Sequence, residues 1–136
     1  MEVLKLNLTG LARYRGREGH SSFILHRITG LGVLLFLIIH ILDTATVYFY
    51  PALYEHAIEI YRSTPFIIGE IFLVFSVIFH GVNGLRIALL DLYFTDKWTI
   101  ETQRKTAKWT MILSIVLWLP AAFWMGRNLL IHNFGW

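Results

Sequence analysis

His80 stands in the middle of the run Ile71 to Leu90, IFLVFSVIFHGVNGLRIALL, which is long enough to cross a bilayer. An imidazole at that depth is costly unless something takes its polar nitrogens, so it marks a candidate functional site. The chemistry it suits best is axial ligation of a haem iron. That task needs a neutral imidazole, room for a flat macrocycle beside it, and cations for the propionates. Gly84, one helical turn on, offers room on the same face, and Arg86 with Arg27 offers charge nearer the inner rim. The alternative is a packing histidine that bonds a carbonyl or hydroxyl of a neighbouring helix.

Two further groups carry polar chemistry. His40 is followed by Asp43 and Thr44, so it reads either as a ligand to a second haem nearer the outer surface or as an ordinary His–Asp packing pair. His26 and Arg27, with Ser22 about a turn earlier, place hydrogen-bonding groups beside an apolar slot at the inner rim. Such a slot suits a quinone, whose carbonyls accept hydrogen bonds and whose reduction takes up protons. Arg27 reads equally as a snorkelling anchor. Taking Arg27 and Leu90 as level with the inner rim puts His80 about 15 Å and His40 about 20 Å into the membrane, and leaves His26 at its edge. His20, His56 and His132 fall outside the core, so bis-histidine ligation at either site requires a histidine from another subunit.

The elements that must position these residues are three membrane helices. Of the 136 residues 56% are hydrophobic and 15% charged, and the apolar ones gather in blocks at about 23–49, 65–93 and 107–131. The chain therefore reads as an all-α integral membrane protein of three transmembrane helices, residues 21–136, preceded by a basic arm over residues 1–20. The arm has no long apolar core and so does not read as a cleavable signal peptide. With no cysteine, disulfides, thiolate metal sites and a cysteine-held iron–sulfur cluster are excluded. Lys5, Arg13, Arg15, Arg17 and Arg27, with Lys97, Arg104, Lys105 and Lys108, outweigh Arg62 and Arg127 on the other side. That bias predicts a cytoplasmic amino terminus and an outside carboxyl terminus, and it accounts for the net charge of +3 without a nucleic-acid partner. Ser21 and Ser22 suit the start of the first helix, Pro51 its outer limit, Pro65 the start of the second, and Pro120 lies inside the third.

Ser22-Phe-Ile-Leu-His-Arg-Ile-Thr-Gly30, followed by His80-Gly-Val-Asn-Gly-Leu-Arg86 and Asp91, resembles the cytochrome b556 membrane-anchor subunit of succinate dehydrogenase, over residues 20 to 130. The resemblance implies that His80 is the axial ligand of haem b and that Arg27, with His26, lies at the quinone and propionate region. It also implies partners: a flavoprotein subunit, an iron–sulfur subunit and a second hydrophobic anchor supplying the opposing histidine. All would be seated in membrane lipid of a bacterial or archaeal cytoplasmic membrane. The expected function is to anchor the catalytic subunits and pass electrons from the iron–sulfur subunit to quinone; the chain alone catalyses nothing. A fumarate reductase anchor working in the opposite direction and a non-redox helical adaptor are the alternatives. Two features depart from the single-haem, ubiquinone-reducing pattern. Phe23 stands where many relatives have a serine, with Ser22 one place earlier, and His40 is similar to the first-helix histidine of the two-haem branch.

Overall fold

The computed structural model describes residues 18–135, so all but the last three residues of the amino-terminal arm lie outside the described part. Among the described residues four α-helices follow one another: α1 Glu18–Phe49, α2 Pro51–Tyr61, α3 Thr64–Leu92 and α4 Ile100–Phe134, with a 3₁₀ turn Thr95–Lys97 before α4. Three of them, over His20–Phe49, Thr64–Leu92 and Ile100–His132, are long and apolar enough to cross a membrane. Helices satisfy their own backbone groups, which hydrocarbon cannot do. At 29 residues even α3 spans about 43 Å, so its ends pass beyond the apolar slab into the headgroups.

The ends of the helices carry familiar local chemistry. Pro51 and Pro65 sit in the first turns of α2 and α3, where no amide is needed. Thr99 caps α4 by accepting the Thr102 amide at 3.2 Å, and Glu101 pairs with Lys105 at 2.7 Å in its first turns. At the far end Gly135 takes the left-handed conformation, φ 70°, and its amide returns to the Leu130 carbonyl. Two boundaries differ from the hydropathy reading. The outer connection contains the helix α2, and α4 begins at Ile100, before the apolar run, because the cap at Thr99 starts it among polar residues. The helix assignment of α4 continues through Pro120.

Helix α3 is the central element, packed between α1 and α4. The seams are closed by small and polar side chains: Ser22, Thr29, Asn83, Thr110 and Ser114 are buried, alongside Phe79, Leu90 and Ala107. Large apolar side chains point outward along every span. This inversion of a soluble core is what lipid permits, since apolar residues gain nothing by leaving hydrocarbon and close helix approach decides the packing. Toward the outer half the Trp118 indole donates to the Ile71 carbonyl at 2.9 Å, and Phe75 packs between Trp118 and Phe79. Trp118→Phe keeps the ring contact and loses the bond. It is expected to lower stability by about 0.6 kcal/mol, read from unfolding of the protein in mixed micelles.

Candidate functional site

His80 projects from α3 onto the face of α1 that carries His26, Thr29 and Gly30. Its Nδ1 lies 3.1 Å from the His26 carbonyl oxygen. A carbonyl only accepts, so Nδ1 carries the proton and, in the neutral ring, Nε2 carries the lone pair. The His26 imidazole lies flat against that of His80, with centroids 4.0 Å apart and planes inclined by 1°. Gly30 lies directly against the His80 ring, since a Cβ there would fall 2.7 Å from Cε1. The buried Thr29 hydroxyl turns back to the Leu25 and His26 carbonyls, at 2.8 and 3.1 Å. The His26 carbonyl thus takes donors from both helices.

Around this pair lies a set of buried polar atoms. Ser22 Oγ donates to Asn83 Oδ1 at 3.1 Å, closing the α1–α3 seam nearer the inner end. Asn83 Nδ2, Arg86 Nε and Nη1, and His26 Nδ1 are buried and have no partner among the described residues. Three of these are donors. Buried donors are costly when unpaired, so this part of α3 is chemically suited to an acceptor from outside the chain, such as a carboxylate. A haem group therefore fits the residues present: Nε2 of His80 for the iron, and Arg86 with Asn83 for propionate oxygens.

Not every sequence expectation converges here. The stacking puts His26 beside Gly84, about six residues or 9 Å deeper than Leu90, so levelling Arg27 with Leu90 does not hold. The reason is that α1 extends inward to Glu18 and consumes Ser22 and Thr29 in the seam; these polar residues are packing groups and do not mark the rim. A Cβ added at Gly84 would lie 3.6 Å from His26 Cε1, an ordinary contact, so the tight approach to His80 belongs to Gly30 across the seam. Arg27 lies on the neighbouring, exposed face of α1, its guanidinium 5.1 Å from the centroid of the Phe23 ring. At the inner end of α3, Asp91 accepts the Trp98 indole at 2.9 Å.

His40 lies apart from these groups, in the carboxyl-terminal half of α1. It stacks on Phe36, and Thr44 donates to its carbonyl at 2.7 Å, not to its ring. Asp43 is not its partner, because the carboxylate accepts the Tyr61 hydroxyl and so ties α2 to α1. The expected His–Asp pair is therefore replaced by Asp43–Tyr61. Sequence reasoning missed Tyr61, which is 18 residues away on a helix that hydropathy does not reveal. His40 and Asp43 line a cleft of about 700 Å³ between α1, α2 and α3, together with Gly32, Gly69 and Glu70.

A three-span helical membrane protein with an imidazole pair clamped in the seam between α1 and α3 is the class that fold and site define. The chain belongs to the family described as succinate dehydrogenase/fumarate reductase transmembrane subunit, whose model matches residues 7–121. It is also similar to the succinate dehydrogenase 2 membrane subunit SdhC of Mycobacterium tuberculosis, at 36% identity over 80 residues. That match spans 59% of this chain and 59% of the relative.

Tyr61→Phe is expected to loosen α2 from α1 by about 1 kcal/mol. Hydrogen exchange of the α2 amides should then quicken by about fivefold if they open locally, with α3 unaffected.

Proposed function

We propose that this subunit binds haem b through His80 and helps to form a quinone-reduction site near Arg27, within a succinate dehydrogenase of a bacterial or archaeal cytoplasmic membrane. The observation that carries this reading is the His80 Nδ1 contact to the His26 carbonyl, which leaves Nε2 as the ligating nitrogen. Metal-bound histidines commonly donate their other ring N–H to a carbonyl in this way. Haem b, when bound, supplies one-electron storage between the iron–sulfur partner and quinone.

The chain's own residues do the rest. His80 would hold the haem iron through Nε2, and a second histidine would come from the second hydrophobic anchor, because His40 is far along α1 and His26 is stacked on His80. Arg86 and Asn83 offer buried donors to the propionates. Arg27 presents a cation on the exposed face of α1 to a quinone carbonyl, with Phe23 as an apolar platform beneath it. Ser22 holds Asn83 in place, a more direct use of its hydroxyl than binding a headgroup. Quinone reduction takes two electrons and two protons, and His26, next to Arg27 in the chain, is the titratable group we assign to proton transfer. The inner ends of the helices, including the Asp91–Trp98 corner, would dock the iron–sulfur and flavoprotein subunits. The amino terminus is taken as cytoplasmic from the lysine and arginine bias.

The outer cleft favours a second reading alongside the first, a distal haem on His40. The imidazole borders an apolar space whose walls include Gly32 and Gly69, and a Cβ at either glycine would meet nothing within 4 Å. The direction of catalysis, succinate oxidation or fumarate reduction, depends on partners and on quinone potential.

His80→Ala is expected to remove the haem that His80 holds, lowering the haem-to-flavin ratio of the purified complex by one; unchanged haem content would show that another residue is the ligand. Arg27→Ala should slow quinone reduction by about tenfold or more, a loss of about 1.4 kcal/mol or more in transition-state stabilisation, while succinate oxidation by an artificial acceptor persists. Equal rates in wild type and variant would remove Arg27 from the quinone site. The haem-to-flavin ratio decides His40: a value near two, falling to about one in His40→Ala, supports a distal haem, whereas a value near one in the wild type leaves His40 a packing residue.

A further inference from the structure

We infer that His26 and Gly30 are positioning residues for the haem ligand: together they set both the tautomer and the ring plane of His80. This rests on the reading of His80 as an axial ligand and adds to it a named pair on the other helix.

An axial imidazole has two degrees of freedom that matter. The proton must sit on the nitrogen away from the iron, and the ring must be held against rotation about its χ2 bond, because the plane of the imidazole sets its overlap with the iron orbitals. Side chains on one helix rarely fix such a rotation alone, since the terminal torsion of histidine is broad. Here three contacts from α1 fix it. The His26 carbonyl, 3.1 Å from Nδ1, selects the tautomer. The His26 ring covers one face of the His80 ring, with planes parallel to within 1° and centroids 4.0 Å apart. Gly30 closes against Cε1, where a Cβ would stand 2.7 Å away, and would come within 3.1 Å of Nδ1 and 3.7 Å of Nε2.

The consequence is specific to residue type. Real Cβ atoms do not come so close, so an alanine at position 30 forces the ring to turn or retreat. Either movement disturbs the bond to the His26 carbonyl or the stack on the His26 ring. His26 therefore acts through two separable parts. Its carbonyl belongs to the backbone and survives any substitution, whereas its ring is removed by alanine and replaced as a flat surface by phenylalanine.

The test uses the assembled complex, with assembly followed by succinate oxidation with an artificial acceptor. The readout is the low-field g value of the ferric low-spin haem, which reports the relative orientation of the two axial imidazole planes, together with the haem-to-flavin ratio. Gly30→Ala is expected to shift the g value or to lose haem from an otherwise assembled complex. His26→Ala is expected to keep haem, because the carbonyl remains, but to shift the g value; His26→Phe should return it toward the wild-type position. If Gly30→Ala does not assemble, the His26 pair decides. A wild-type g value with full haem content in both Gly30→Ala and His26→Ala, or in His26→Ala alone where Gly30→Ala fails to assemble, would overturn the positioning role and leave His80 as ligand. A wild-type complex with no b-type ferric signal would instead defeat the underlying haem assignment.

Discussion

A helix carbonyl in a bilayer already holds the amide four residues on, and its second lone pair is what remains to satisfy a buried polar group. In this protein the free side of the His26 carbonyl receives the Nδ1 proton of His80 across the α1–α3 seam and is shared with the Thr29 hydroxyl. That bond depends on the two backbones being close, and the closeness depends on Gly30, beside which the His80 ring lies. It also defines what the imidazole can do, since a ring donating from Nδ1 has only Nε2 left to give. The chemistry of the site is therefore a property of a helix–helix contact and not of His80 alone.

The rest of the architecture follows from that contact. Serine, threonine and asparagine fill the seams because short polar side chains permit close approach and find partners there, as Ser22 does with Asn83 and Ser114 with the Thr110 carbonyl. Phenylalanine, leucine and isoleucine are left on the outside. Arg27 and Phe23 lie on the exposed face next to the imidazole pair, so one part of α1 faces inward to the ligand and the adjacent part faces lipid or a second subunit. On the proposed reading a site divided in this way is completed by another chain, and the chain belongs to a family of transmembrane subunits.

The number and class of the spans were legible because hydropathy over twenty residues is a strong signal, and His80 was legible because an intramembrane imidazole is costly. Depth was read less well. Arg27 seemed to mark the rim, but α1 runs inward to Glu18 and its early polar residues are packing groups, so His26 meets His80 in a stack. Gly84 was expected to supply the close approach beside His80, a role that Gly30 takes, because which glycine is tight depends on the register between antiparallel helices. Nor could the pairing of Asp43 with Tyr61 be found from spacing, since α2 is short and interrupted by Glu55, His56 and Glu59. In each case the missing information was contact between helices, which a single hydrophobic pattern does not carry.

The account stands on one claim, that the α1–α3 seam presents an imidazole to a haem iron. The reduced-minus-oxidised absorption spectrum of the purified, assembled complex tests it most directly. The account predicts a b-type difference spectrum at no less than one haem per flavin. A complex that oxidises succinate and reduces quinone with no b-type absorbance would contradict it, and would make His80 and His26 a packing pair.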